Sequence, residues 1–176
     1  MKTREAINIV IAGAGPGGAT ASLFLCKKKI PHIILDKSFF PRDKICGDAL
    51  SGKVADVLQK IDSSIHAEFA TVIDKILPCN GIVFSAPNGV TIEVPFRNNL
   101  SELKYPAGYV AKRFSFDGFL FKKIDRNFAH VVEGAEIKNI SRVDDRIEIN
   151  YKSEGENKIL RCKLLIGAEG DRSIAA

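Results

Sequence analysis

The residues Gly13-Ala14-Gly15-Pro16-Gly17-Gly18 fit the pattern G-x-G-x-x-G, and Asp36 follows at about the 20-residue offset where such a loop acquires a ribose-binding acid. Each residue type has a chemical task. Gly13 permits a tight turn, Gly15 leaves room for a diphosphate to approach the main chain, and Gly18 lets a helix lie close on its strand. Amide N–H groups at the start of that helix, with its dipole, would hold phosphoryl oxygens. The Asp36 carboxylate can accept hydrogen bonds from ribose hydroxyls and repels a 2′-phosphate, which argues against NADP at this position. NAD and FAD meet these requirements equally well.

A glycine cluster alone specifies little, so the flanking elements carry the weight. Ile7 to Ala12 is an almost wholly apolar run, the pattern of a strand buried on both faces of a parallel sheet. Gly17 to Lys29 has Ala21, Phe24 and Leu25 at helical spacing, Ile30-Pro31 stops that helix, and His32 to Leu35 resume as strand. The three segments make a βαβ unit with a right-handed crossover.

Further along, Phe39 to Gly47 reads as a loop, followed by a helix with Leu50, Val54, Val57, Leu58 and Ile61 on one face and Asp48 or Ser51 as its cap. Gly81 to Pro95 alternates apolar and polar residues around Pro87-Asn88-Gly89, a hairpin. Asn98 to Pro106 reads as a connecting loop. Phe116, Phe119, Leu120, Ile124 and Phe128 predict a second amphipathic helix, with Ser115 as cap and Asp117 in its first turn. Alternation over Ile147 to Lys152, with turns at Asp144-Asp145 and Glu154 to Asn157, predicts an antiparallel meander, and Leu164 to Ile166 one more buried strand.

Three segments carry a resemblance. Pro41-Arg42-Asp43-Lys44-Ile45-Cys46-Gly47-Asp48-Ala49-Leu50-Ser51 resembles the P-x-x-K-x-C-G-x-x-L-S signature of the geranylgeranyl reductase family, a branch of the FAD enzymes with the para-hydroxybenzoate hydroxylase fold. Arg113 to Leu120 is similar to that superfamily's R-x-x-F-D-x-x-L helix start, and Gly167-Ala168-Glu169-Gly170-Asp171-Arg172-Ser173 to its G-A-D-G-x-x-S segment.

The resemblance implies an α/β, Rossmann-like FAD-binding domain with an antiparallel meander, residues 74–108 opening a substrate-binding antiparallel segment. It places Arg42 and Arg113 near the ribose and pyrophosphate of FAD, and Lys44, Cys46, Gly47 and Asp48 along the flavin ring. Lys37, Glu169 and Gly170 join the expected cofactor contacts. Cys46 is the candidate reactive residue, with an inert thiol as the equal alternative, since nothing in the sequence lowers its pKa. The activity implied is flavin hydride transfer to a double bond of an isoprenoid or similar apolar substrate, with NAD(P)H as electron donor. A monooxygenase of the same fold and a non-catalytic nucleotide-binding fragment are the rival readings.

Two departures stand out. Glu169 replaces the usual Asp, so its carboxylate reaches differently or Asp171 shares its task. Family members are longer and carry a later G-D-A segment, so residues 1–176 are expected to be a truncated FAD-binding domain.

Bulk properties narrow the classes. With 45% hydrophobic and 27% charged residues, the 176-residue chain can bury a core. The net charge of +5 is spread along the chain without interleaved aromatics, which excludes a nucleic-acid footprint. Cys26, Cys46, Cys79 and Cys162 show no zinc-type spacing, and no metal site is expected. Their reduced state fits the cytoplasm, and no apolar run is long enough to span a bilayer. A peripheral place at a membrane surface stays open, as does the oligomeric state.

Overall fold

A computed structural model describes residues 8–46, 48–72, 76–103, 105–171 and 173–175. In chain order the elements are β1 (Ile9–Ala12), α1 (Pro16–Lys27), β2 (His32–Leu35), β3 (Ala49–Leu50), α2 (Gly52–Ile61), α3 (Ser63–Val72), β4 (Leu77–Cys79), β5 (Gly81–Ser85) and β6 (Thr91–Pro95). A 3-10 turn at Leu100–Glu102 leads to β7 (Gly108–Val110), α4 (Arg113–Lys122), β8 (Ala129–Val132), β9 (Glu136–Val143), β10 (Arg146–Ser153), β11 (Glu156–Cys162) and β12 (Leu164–Gly167). The chain forms two compact units, residues 1–42 with 117–176, and residues 43–116.

In the first unit a parallel sheet runs β12-β1-β2-β8. Alternation decides its two faces. Val10, Ala12, Ile33 and Leu35 are packed with Ile137, Ile149 and Cys162 of the antiparallel meander β9-β10-β11. Ile11 points the other way, toward Gly18 of α1. The order of strands reverses at β1, because the chain leaves it toward β2 and later returns to its opposite edge as β12. Such a switch point opens a crevice at the carboxyl ends of the strands, the usual ligand position in doubly wound sheets.

The second unit holds an antiparallel sheet β3-β7-β4, the helices α2 and α3, and the hairpin β5-β6. Leu58, Ile61, Phe69, Tyr109 and Phe116 are buried there. Phe69 meets Tyr109 and Phe116 edge to face, at centroid distances of 5.4 and 5.5 Å.

The predicted βαβ unit, hairpin and meander turns are all present. Several expectations need correction. Leu50 lies in β3, so α2 starts two residues later, with Ser51 at its N-cap position making no side-chain capping bond. Ser115 is inside α4, and Asp117 lies beyond its first turn, because the helix begins at Arg113. Ile124 and Phe128 both lie beyond α4, which ends at Lys122; further on, Asp125 Oδ1 accepts the Asn127 amide at 2.9 Å, a local bond that competes with helical continuation. The predicted buried strand at 164–166 is an edge strand instead, with Leu164 half exposed. Ile7 lies outside the described residues.

Candidate functional site

The loop after β1 is held in shape from three sides. The Gly13 amide donates to Leu35 O at 2.7 Å, and the Ala168 amide to Ala12 O at 2.7 Å, tying the loop to both neighbouring strands. Gly13 has φ +95°, and a Cβ on it would stand 2.5 Å from the Ala168 carbonyl oxygen, so glycine is required on both counts. A Cβ on Gly18 would overlap the Gly13 carbonyl oxygen, which is how closely α1 settles on the turn.

Asp36, buried at the end of β2, closes the loop chemically. Its Oδ2 accepts the Ala14 amide at 2.6 Å and its Oδ1 the Ser38 amide at 2.8 Å. Each carboxylate oxygen keeps a further acceptor position for a hydroxyl group. Ala14 is thereby committed to the acid. Gly15 is the N-cap of α1, Pro16 follows at the first helical position, and no side chain caps the helix. The first intrahelical bond runs from the Ala19 amide to Gly15 O at 2.8 Å, so the helix provides no acceptor for the amides of Gly15, Gly17 and Gly18. Three bare donors at a positive dipole end make a seat for an anion.

A cation stands beside that seat. Among the described residues other than its chain neighbours, Arg42 Nη2 alone comes within 4 Å of where a Gly15 Cβ would lie, at 3.3 Å. Arg42 Nη1 is 3.2 Å from Oδ2 of fully buried Asp117, an ion pair whose alignment falls short of a hydrogen bond and leaves Nη1 buried without an acceptor among the described residues. Bare amides, an acid with spare acceptor positions and an Arg donor in want of a partner match a ribose joined to a diphosphate.

Glu169 Oε2 accepts from Ser173 Oγ at 3.0 Å, from the Ile174 amide at 3.2 Å and from the Ala175 amide at 3.3 Å. The extra methylene thus lets it cap the turn that follows, while Asp171 is exposed. Gly170 has φ +89°. Lys37 is exposed next to Asp36. Lys44, Cys46, Asp48 and Arg113 belong to the second unit, and Gly47 lies outside the described residues. Lys44 and Cys46 are exposed; Asp48 has φ +55°, and its carbonyl accepts the Ala111 amide at 2.9 Å. Arg113 opens α4 and is half-buried. Among the described residues no cluster of His, Cys, Asp and Glu could hold a metal ion, and no helix is long and apolar enough to cross a membrane.

Sequence reasoning missed the partner of Arg42. The acid sits in a helix far along the chain, and its buried position is set by the fold. Its sequence signals are the acid position of the R-x-x-F-D-x-x-L resemblance and an Asp among Phe116, Phe119, Leu120 and Phe121, a charge placed in an apolar stretch; neither names Arg42 as its partner.

The chain is 25% identical over 174 residues to menaquinone reductase of Mycolicibacterium smegmatis, covering 98% of this chain and 39% of that protein. It is 25% identical over 170 residues to digeranylgeranylglycerophospholipid reductase of Methanocaldococcus jannaschii, covering 96% of this chain and 39% of the reductase. The fold matches the flavin-dependent halogenase CmlS with a TM-score of 0.79 at 21% identity, over 97% of this chain and 30% of that one. It also matches p-nitrophenol 4-monooxygenase PnpA of Pseudomonas putida, with a TM-score of 0.77 at 16% identity over 96% and 42%. The chain thus spans well under half the length of these relatives. The family model described as an FAD binding domain matches residues 6–176, and the chain belongs to that FAD-binding family.

Proposed function

We propose that the chain binds the adenosine diphosphate half of FAD and serves a flavin-dependent reductase acting on a carbon–carbon double bond of an isoprenoid or similar apolar substrate. The observation that carries the cofactor reading is the set of amides at Gly15, Gly17 and Gly18 that the helix leaves unclaimed, with Asp36 bound to the neighbouring Ala14 amide and the Arg42 guanidinium beside Gly15. In this reading the amides and Arg42 bind the pyrophosphate, and Asp36 binds the ribose hydroxyls. When bound, the flavin supplies a centre for hydride transfer. The protein's own part is to fix the dinucleotide and keep water from the reacting face. The resemblance assigns Lys44, Cys46, Gly47, Asp48 and Arg113 to the flavin half, Glu169 and Gly170 to the dinucleotide, and NAD(P)H as the electron donor. Residues 74–108 are proposed as the start of the substrate-facing segment.

The reductase branch is favoured by the Pro41 to Ser51 segment and by the two reductases just described. Flavin fluorescence quenching on the purified protein tests the first half of the proposal. FAD is expected to bind, ADP to compete with it, and Gly15→Val to abolish both. Unchanged FAD affinity in that variant sinks the site assignment. Anaerobic reduction of an alkene-bearing lipid tests the second half. Substrate turnover that requires and consumes oxygen would overturn it in favour of a monooxygenase.

A further inference from the structure

We propose that Asp117 is a positioning residue for the dinucleotide, holding the Arg42 guanidinium over Gly15 so that its free edge meets the diphosphate; this rests on the cofactor reading above. Asp117 has no solvent-exposed surface, yet it sits in an apolar stretch of α4, where a carboxylate is tolerated only with a cation or donors beside it. Arg42 supplies the cation at 3.2 Å through Nη1, while Nη2 at the other tip of the same planar group lies against Gly15. A guanidinium can serve two anions at once in this way because its donors form a rigid fork.

The rest of α4 clamps the segment that bears Arg42. A Cβ on Gly118 would lie 3.0 Å from Pro41 Cβ, and Phe121 stacks on Phe40 with centroids 4.2 Å apart and planes 8° from parallel. The Arg42 guanidinium carbon is 5.2 Å from the Phe40 ring centre, and the Phe40 amide donates to Glu133 Oε1 at 2.6 Å. Asp117, Gly118 and Phe121 therefore bear on three consecutive residues, Phe40, Pro41 and Arg42. Loss of the acid would leave the segment docked while releasing the tip of Arg42 from its orientation. Asp117 makes further interactions, so a purely structural role is the outcome to be separated.

Calorimetric titration of the full chain with ADP and with adenosine makes that separation. Asp117→Asn is expected to weaken ADP by about tenfold, the scale of one charge-assisted contact, and to leave adenosine within about twofold. Arg42→Ala should weaken ADP similarly, and adding Asp117→Asn to it should cost nothing more. Arg42→Lys tests the same geometry without touching the buried acid: a single-point cation cannot span both anions, and the loss should match that of Ala. Unchanged ADP affinity in Asp117→Asn, full affinity in Arg42→Lys, or a penalty that persists in the Arg42→Ala background overturns the positioning role. Absence of ADP binding by the unaltered chain overturns the cofactor reading together with it, whereas binding abolished by Gly15→Val but indifferent to Asp117 overturns this inference alone.

Discussion

Single atoms decide what the glycines of the loop tolerate. A Cβ on Gly18 meets the Gly13 carbonyl, main chain that cannot swing away, whereas among the described residues a Cβ on Gly17 would meet only Ala168 Cβ at 3.9 Å, an ordinary contact. Gly18→Ala should therefore destabilise by about 3 kcal/mol, the upper end of overpacking costs. Gly17→Ala should be neutral or stabilising by up to about 1 kcal/mol, since it removes glycine's entropic cost within a helix. Thermal denaturation of the two variants checks the contrast, and equal losses would refute it. Tyr109 offers a test of the opposite kind. Its hydroxyl is buried without a hydrogen-bonding partner among the described residues, so Tyr109→Phe removes a desolvated donor and should stabilise by about 1 kcal/mol. A lower melting temperature would show that the hydroxyl has a partner in solution.

The joint between α1 and β2 shows how a packed pair of elements acquires a pH response. Ser22 Oγ lies 2.8 Å from His32 Nε2, and His32 Nδ1 lies 2.8 Å from Ile30 O; the carbonyl must accept, so Nδ1 carries the proton and Nε2 accepts from Ser22. Burial lowers the pKa of His32 against the raising effect of the Ile30 bond, and burial likewise lowers that of His66 in α3 against the attraction of Asp56. With both folded values below the ordinary 6.5, the unfolded chain takes up protons first as the pH falls. Stability is full above that value and declines in acid until the folded imidazoles are protonated too. Urea midpoints measured from pH 7.5 down to about 5 should fall, and His66→Phe should flatten part of the slope. A pH-independent midpoint over that range refutes the assignment. Exposed Glu136 and Glu154, whose pKa values their lysine partners lower, respond only in more acidic solution. These joints also mark what could be read in advance. The strands at 9–12 and 32–35 were legible because a segment covered on both faces must be apolar throughout. α3 was not, since its large buried residues are a histidine and a phenylalanine among Ser63, Ser64 and Glu68. The acid at position 36 announces itself by its offset from the glycines, whereas the meeting of Arg42 with Asp117 depends on where α4 lands.

Taken together, the sheets leave one apolar surface without cover among the described residues. Ile82, Phe84, Ile92 and Val94 share a face of the β5-β6 hairpin through the pairs Ile82–Val94 and Phe84–Ile92, and all four are 45–62% exposed. Neither strand pairs with any other in the described chain. Such a face invites association between copies. Sedimentation velocity of this chain should show concentration-dependent self-association in the tens of micromolar (~10–100 μM), reduced by Phe84→Glu combined with Ile92→Lys, which keeps an opposed pair across the strands. Strictly monomeric behaviour would refute it. The placement of β12 has a consequence in time. β1 is flanked by a near neighbour, β2, and by a strand from the far end of the sequence, and Ala168 just beyond β12 forms one wall against Gly13. A ribosome releases the glycine turn early and that wall late, so on the nascent chain the nucleotide pocket stays unfinished until residues 164–168 have emerged.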